Sequence, residues 1–301
     1  MIDYLNNGFK NKKIDIDITN KCTLQCRMCA RRMYDNPSDI PGGDLSIESF
    51  QKVLDYFDQI YFCGSFGDPI FNPNIKTFLW MCGEQNKEVH VHTAASHKPL
   101  HWYEEAFESN PNAIWHFGID GLPYQSFVYR ENQDGEYLFD VMLKAKSKGV
   151  KVIWQYLVFG YNQDKVEDAR KLAEQHNIEI EIHHTSRYDD FLKPTVELVK
   201  EKRVEYDFIP KCLTDKQEKY PYLSATGQLY PCCWLDSTQL TDEEFASLNK
   251  DNLNIRYNTI DEIINSDEWR EFYGNLKVDT CPSFCKQRCS TNLKNPGRIV
   301  E

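Results

Sequence analysis

A chain of 301 residues with 41% hydrophobic and 13% aromatic residues is long enough for one large α/β domain and a smaller appendage, and too apolar for disorder to be the default. Its net charge of −11 argues against a nucleic-acid partner, which needs clustered Lys and Arg, and points to a small molecule or a peptide instead. The start MIDYLNNGFK lacks the apolar stretch of a signal peptide, and no apolar run approaches the roughly 20 residues that cross a bilayer, so a cytoplasmic chain with no membrane partner is expected.

Taken in order, the pattern begins with Ile14, Ile16 and Ile18 alternating with Asp15, Asp17 and Thr19, which predicts a strand over 13–19 with one apolar and one polar face. Ser46 is placed to cap a helix in which Ile47, Phe50, Val53, Leu54 and Phe57 share a face. Further strands are predicted over 60–63, 89–93, 114–119, 152–159 and 178–184, separated by helices near 75–84, 102–109, 138–148 and 165–175. Alternation of this kind predicts βα units and a parallel sheet. Six strands are too few to close an eight-stranded barrel. The expected fold is therefore α/β, a partial (β/α)6 TIM-like barrel over residues 1–204, with its chemistry at the carboxyl ends of the strands. The pattern breaks between Pro194 and Pro210, and 205–301 reads as a small metal-stapled domain. Within it Thr259 and Glu262 form a capping box for a helix reaching about Tyr273.

Eleven cysteines need a reason, and in a reducing compartment clustered cysteines more often bind metal than pair as disulfides. Cys63 and Cys82 stand apart and read as small buried thiols. Cys22, Cys26 and Cys29 follow the first strand at C-x3-C-x2-C spacing. Structural zinc takes four ligands and none follows nearby, whereas a four-iron cluster on three thiolates keeps one iron open to a non-protein ligand. On spacing alone, zinc stays open as the alternative.

A first strand, this cysteine spacing and a long loop into a helix resemble the radical S-adenosylmethionine (SAM) superfamily. Three further segments carry the likeness. Cys63-Gly64-Ser65-Phe66-Gly67-Asp68-Pro69 is similar to the family's Gly-Gly-Glu-Pro stretch, with Asp68 where Glu is usual. Thr93-Ala94-Ala95-Ser96 resembles its Thr-Asn-Gly-Ser turn, with two alanines replacing Asn and Gly. Phe117-Gly118-Ile119-Asp120-Gly121-Leu122, followed by Tyr129-Arg130, resembles the Ser-Leu-Asp-Gly…Tyr-Arg signature of the branch with extra clusters, with Gly118 at the Ser position. The resemblance implies a SAM-binding [4Fe–4S] cluster on Cys22, Cys26 and Cys29 that cleaves SAM reductively to a 5′-deoxyadenosyl radical. It implies that Met28 lines the adenine, that the backbone at Gly67 and Asp68 holds the SAM amino group, and that Thr93 and Ser96 lie near the ribose. It also makes Asp120 and Arg130 the catalytic candidates, Asp120 meeting SAM or substrate and Arg130 pairing with the SAM carboxylate. A flavodoxin or ferredoxin is the implied electron donor.

Toward the end, Cys212 followed by Gly227-x4-Cys232 resembles the opening of the SPASM motif, while Cys281-x3-Cys285-x3-Cys289 departs from it. The tail looks like the shortened twitch domain, which implies an auxiliary [4Fe–4S] cluster on Cys212, Cys232 and two of Cys281, Cys285 and Cys289, with Cys233 able to replace Cys232. Six thiols allow four-thiolate ligation with no open iron, and four-thiolate zinc is the alternative on spacing. His90, His92 and His116 read as satisfied core groups or as substrate ligands, and His183, His184, Ser186 and Arg187 close the sixth strand where a substrate would lie. The function expected is hydrogen abstraction from a small polar metabolite, for oxidation or rearrangement, with the auxiliary cluster as electron acceptor or substrate anchor. Oxidation or cross-linking of a ribosomally made peptide is the alternative within the same chemistry. A non-catalytic zinc-binding scaffold is the alternative outside it.

Overall fold

The computed structural model describes Phe9, residues 12–185, 188–195, Cys212, Thr214, 220–236, Leu248, 250–277, 279–282, Cys285, Lys286 and Cys289. Six parallel strands lie side by side in chain order: β1 (Lys13–Ile16), β2 (Gln59–Phe62), β3 (Glu88–Thr93), β4 (Ile114–Gly118), β5 (Val152–Val158) and β6 (Glu179–His184). Five helices connect them: α1 (Ile47–Leu54), α2 (Ile75–Glu84), α3 (Leu100–Ser109), α4 (Gly135–Ser147) and α5 (Val166–Gln175). This is the expected α/β partial barrel. The helices start where caps put them: Ser46 Oγ accepts from Ser49 N at 3.2 Å, and the Asp134 carboxylate accepts from Tyr137 N at 2.9 Å. Asp134 opens α4 three residues before the apolar spacing does, because the first turn of that helix is polar.

Strand periodicity of two divides the sheet into unlike faces. Ile14, Ile16, Ile60, Phe62, Val89, Val91, Trp115, Phe117 and Trp154 are buried against the helices. Phe50 of α1 stacks on Phe78 of α2 with centroids 4.3 Å apart and lies 5.7 Å from Phe62, while Phe107 meets Trp115 edge-on at 4.9 Å. The opposite, concave face carries Asp15, Asp17, Tyr61, His90, His92, His116, Gln155, Glu181 and His183. Sheet stability thus comes from one side, and the other is left for polar chemistry.

The tail joins this sheet directly. A hairpin of β7 (Tyr222–Leu223) and β8 (Leu229–Tyr230) runs on from β1, with β7 parallel to β1 in the register Asp15↔Tyr222 and Ile16↔Leu223. The strand order is β6-β5-β4-β3-β2-β1-β7-β8. The predicted division between 204 and 205 lies outside the described residues, as do Pro210, Ser186 and Arg187. The helix expected from Thr259 to about Tyr273 is instead two, α6 (Ile260–Ile264) and α7 (Asp267–Gly274). The capping box forms, with Thr259 N donating to Glu262 Oε2 at 2.8 Å, but Ser266 Oγ accepts from Trp269 N at 3.3 Å and starts a second helix. The apolar spacing slips at that point, from Ile264 to Trp269, so one helix would turn Trp269 away from the core in which it is buried. Among the described residues, no helix is long and apolar enough to cross a membrane.

Because Phe50 is fully buried where α1, α2 and β2 meet, Phe50→Ala is expected to lower stability by about 3–5 kcal/mol, read from the midpoint of urea unfolding.

Candidate active site

The loop after β1 is folded back so that its three cysteines share one small region at the carboxyl end of the strand. Cys29 N donates to Cys26 O at 3.1 Å, and the carbonyls face outward to two arginines. Arg31 donates to Phe66 O at 2.6 Å, to Cys22 O at 3.4 Å and to Asn20 O; Arg32 donates to Cys26 O at 3.1 Å and to Gln25 O at 2.6 Å. The guanidinium fork suits this task, since each satisfies several carbonyls of a loop that has no regular structure. Sequence reasoning missed both residues, although a pair of arginines directly after the cysteine motif was there to be noticed.

Cys26 is buried and Cys22 and Cys29 are half-buried, close enough for the charge on each thiolate to affect the next. Burial, with Asp68 adding to it, pushes the Cys22 thiol up to about 12, and burial also raises Cys26, opposed by Arg130. Leu24 N lies 3.4 Å from Cys22 Sγ. Such thiols keep their protons until a cation takes the proton's place. An all-sulfur set of three with a backbone N–H aimed at sulfur fits the iron–sulfur group expected here, and Met28 packs on the core beside it.

The loop after β2 also touches the cysteine loop through backbone. Asp68 N donates to Lys21 O at 2.8 Å, and a Cβ on Gly67 would stand 2.1 Å from Thr19 O, so no other residue fits at 67. Asp68 is buried and caps the short turn Pro69–Phe71. Its carboxylate accepts from Ile70 N at 3.2 Å, Ala94 N at 2.8 Å, Ala95 N at 3.0 Å and Thr93 Oγ1 at 2.9 Å. The hydroxyl proton of Thr93 is therefore given to Asp68, and Ser96 Oγ accepts from Asp134 N at 2.8 Å. Both side chains that the turn supplies are holding loops together.

Asp120 and Arg130 form a buried ion pair, Nε to Oδ2 at 2.7 Å, and the other carboxylate oxygen accepts from Leu157 N at 2.8 Å. Both oxygens of Asp120 are thus occupied and its side chain has no exposure, so Asp120 sets the guanidinium rather than facing the mouth. Arg130 is brought towards Cys26 by two backbone bonds, Gln25 N to Glu131 O at 3.0 Å and Arg27 N to Tyr129 O at 3.2 Å, and its charge favours the Cys26 thiolate. A Cβ at Gly118 would lie 3.0 Å from Arg130 Nη2, so a side chain there would crowd the guanidinium.

Below the mouth, the concave face is lined with polar groups. His90 and His116 meet at 2.9 Å, His92 reaches Gln155 Oε1 at 3.1 Å, Gln155 Nε2 donates to Glu181 Oε2 at 3.0 Å, and His183 Nε2 lies 3.0 Å from the same oxygen. Burial first, and then His92, push His116 down to about 2. His116 Nδ1 and His183 Nδ1 are buried with no hydrogen-bond partner among the described residues.

A second site lies beside β1. Cys212, Cys232, Cys233, Cys281, Cys285 and Cys289 line one cavity together with Asp15, Tyr220, Trp234 and Phe272. Cys289 N donates to Cys285 O at 2.8 Å, so the x3 spacing puts those two residues one helical turn apart. Among the described residues, no three Cys, His, Asp or Glu side chains converge on a point that would suit a single metal ion. Cys82 is buried in α2, and Cys63 lies on the concave face 3.4 Å from Asp17.

An α/β barrel open along one edge, with thiols at its mouth, defines a class of enzyme fold before any name is attached. Residues 16–205 match the family model described as the Radical SAM superfamily, and the chain belongs to that superfamily as a radical SAM enzyme. The family implies a [4Fe–4S] cluster and SAM. No curated protein sequence matches the chain. The structure of Streptococcus suis SuiB bound to S-adenosylmethionine superposes with a TM-score of 0.62 at 11% identity, over 87% of this chain and 68% of that one. SuiB bound to the precursor peptide SuiA gives 0.59 at 12%, over 86% and 65%. Native anSMEcpe with bound AdoMet and Cp18Cys peptide gives 0.59 at 13%, over 95% and 88%. This chain spans about two thirds of the SuiB chain, and at these identities the likeness is one of fold.

Removing one partner of the buried Asp120–Arg130 pair leaves the other uncompensated, so Asp120→Ala is expected to cost about 3–5 kcal/mol in chemical denaturation.

Proposed function

We propose that Cys22, Cys26 and Cys29 hold the [4Fe–4S] cluster and SAM that the superfamily implies, and that the enzyme takes a hydrogen atom from a polar substrate lodged against the concave face of the barrel. The observation that carries this reading is the meeting of the three thiols with the Gly67–Asp68 loop and the Arg130 guanidinium at one mouth, above a face of histidines and carboxylates. When bound, cluster and SAM supply a 5′-deoxyadenosyl radical, strong enough to break unactivated C–H bonds. The chain's own residues do the rest. Cys22, Cys26 and Cys29 would hold the cluster, the backbone at Gly67 and Asp68 would receive the SAM amino group, Met28 would lie against the adenine, and Arg130 would receive the carboxylate. Asp120 fixes the direction of that guanidinium. Thr93 and Ser96 shape the ribose side through the loops they tie. His116 and His183, each with a buried ring nitrogen that has no partner among the described residues, border the face that would receive the polar groups of the substrate.

The tail serves as a twitch/SPASM-like domain of residues 205–301, with an auxiliary [4Fe–4S] cluster on Cys212, Cys232 and two of Cys281, Cys285 and Cys289. Six thiols spread around a cavity support a multinuclear group, because zinc needs its four sulfurs gathered about one ion at roughly 2.3 Å each. A cluster held by these thiols, beside Asp15 of β1, would be suited to accept the surplus electron of an oxidation or to hold the substrate. Reduction of the first cluster calls for an external one-electron donor such as flavodoxin or ferredoxin. Eleven cysteines, most of them clustered, suit a reducing cytoplasm.

A small polar metabolite fits the polar face best. Peptide modification is the second reading, supported by the exposed Met33, Tyr124, Phe127 and Phe191 on loops that leave the carboxyl ends of β1, β4 and β6, and by the peptides bound to SuiB and anSMEcpe in the structures this fold resembles.

Anaerobically reconstituted protein is expected to be brown with about eight irons, and to release 5′-deoxyadenosine when reduced with SAM. Cys22→Ala should bring iron to about four and abolish the nucleoside. Colourless protein with one or two zincs would refute the reading.

A further inference from the structure

Glu181 lies in β6 on the concave face, level with Gln155 of β5. An ionised carboxylate only accepts hydrogen bonds, so the Gln155 amide turns its nitrogen to Glu181 Oε2, at 3.0 Å, and its oxygen to His92 Nδ1, at 3.1 Å. His183 Nε2 donates to the same Oε2 at 3.0 Å. Two donors therefore fill Oε2. Oε1 has no partner among the described residues, and the side chain is 26% exposed. The hydrogen bond from His183 outweighs burial and, with that from Gln155, holds Glu181 far below the usual carboxylate range, so it is an anion at pH 7.

The same rule orients the histidines of β3 and β4. Glu88 Oε1 takes the proton on His90 Nε2 at 3.0 Å, which leaves His90 Nδ1 to accept from His116 Nε2 at 2.9 Å. Burial lowers both rings, so neither carries a charge at pH 7, and the lone pair of His116 lies on Nδ1. His183, donating through Nε2, likewise has its lone pair on Nδ1. These two Nδ1 atoms are the buried ones with no partner among the described residues. His116 and Glu181 are near enough for each to feel the other's charge.

Among the described residues no lysine or arginine pairs with Glu181. Lys13 and Lys151 share the face by strand parity but belong to its amino end. Lys13 Nζ sits over the Tyr220 ring at 5.5 Å, and Lys151 Nζ is 3.9 Å from Glu179. Lys151 precedes Gln155 by a run of strand about 13 Å long.

A ligand at this place therefore meets acceptors and one unbalanced negative charge. A hydroxyl would leave that charge without a counter-ion in a partly dry site. A guanidinium binds best as a fork across both carboxylate oxygens, and Oε2 is already filled. An ammonium is compact, carries three donors and needs Oε1 alone. We propose that Glu181 anchors a protonated primary amine of the substrate through Oε1, with Gln155 and His183 as positioning residues that occupy Oε2. This deepens the substrate site argued above and rests on it. Either a small amine or a lysine side chain brings such a group, and the two are separated in the test.

The test is ligand-observed NMR on the full-length reconstituted holoprotein with SAM, unreduced and anaerobic, using two matched series of probes. One is n-butylamine, n-butanol and n-butylguanidine; the other is acetyl-Gly-Lys-Gly-amide with its norleucine and arginine counterparts. The amine is expected to bind roughly tenfold to a hundredfold more tightly than its uncharged partner, and more tightly than the guanidine. Preference confined to n-butylamine assigns a small metabolite, and a lysine peptide that binds at least as well as n-butylamine assigns a side chain. Glu181→Gln keeps the size and removes the charge, and should bring the preference for the amine over its uncharged partner to roughly threefold or less. Gln155→Met opens a lone pair on Oε2, and should shift the balance toward the guanidine by roughly threefold or more, which a merely structural glutamine would not do. Should Glu181→Gln fail to fold, that shift decides the matter. Wild-type protein without amine preference, or a preference that Glu181→Gln leaves intact, would overturn the anchor. Reduction of the same wild-type preparation keeps the two readings apart: release of 5′-deoxyadenosine without amine preference overturns the anchor alone, and no release overturns the proposed function together with it.

Discussion

Three buried carboxylates, each taking backbone N–H groups from a neighbouring loop, stitch the mouth of this barrel. Asp17 after β1 holds the loop after β2, Asp68 in that loop holds the end of β3 and the turn beyond it, and Asp120 after β4 holds β5 through Leu157 N. Gln133 closes the remaining gap, its Nε2 donating to Gly118 O at 2.9 Å and Ala94 O at 2.5 Å. Charge-assisted bonds of this kind contribute about 1.5–3 kcal/mol each, and taking one carboxylate away strands several donors at once. An open sheet lacks the closure that keeps the loops of a full barrel in place, and here the loops are held to one another instead.

That arrangement explains the division of labour at the mouth. The side chains of Asp68, Thr93, Ser96 and Asp120 are spent on loop geometry, and Gly67 lies against the backbone of Thr19. A site preorganised in this way does not have to reorder its loops around a cofactor. The tail belongs to the same construction. By pairing β7 with β1 it places six thiols beside Asp15 on the strand that also leads into Cys22, so both cysteine-rich sites are referred to a single strand.

Local pattern made most of the barrel legible. Strands and helices followed from alternation and helical spacing, and the departures have local causes: the Asp134 cap at α4, the Ser266 cap that splits the tail helix, and a β1 that ends at Ile16. The cysteine groups were legible too, because short fixed spacings bind ligands to one loop or one helix face. What lay hidden were partners far apart in sequence. Arg31 is 35 residues from Phe66, and Tyr222 is 205 from Asp17.

The sequence by itself determined the order and type of the elements, the family, and which side chains are chemically able to hold metal, since these depend on periodicity, spacing and side-chain identity. Only the tertiary structure decided which polar groups are used up and which stay available. Thr93 and Asp120 look alike as free candidates in the chain, yet folding buries both against specific donors and acceptors. Burial and pairing are properties of distance in space, and a carboxylate's role is set by the groups that reach it.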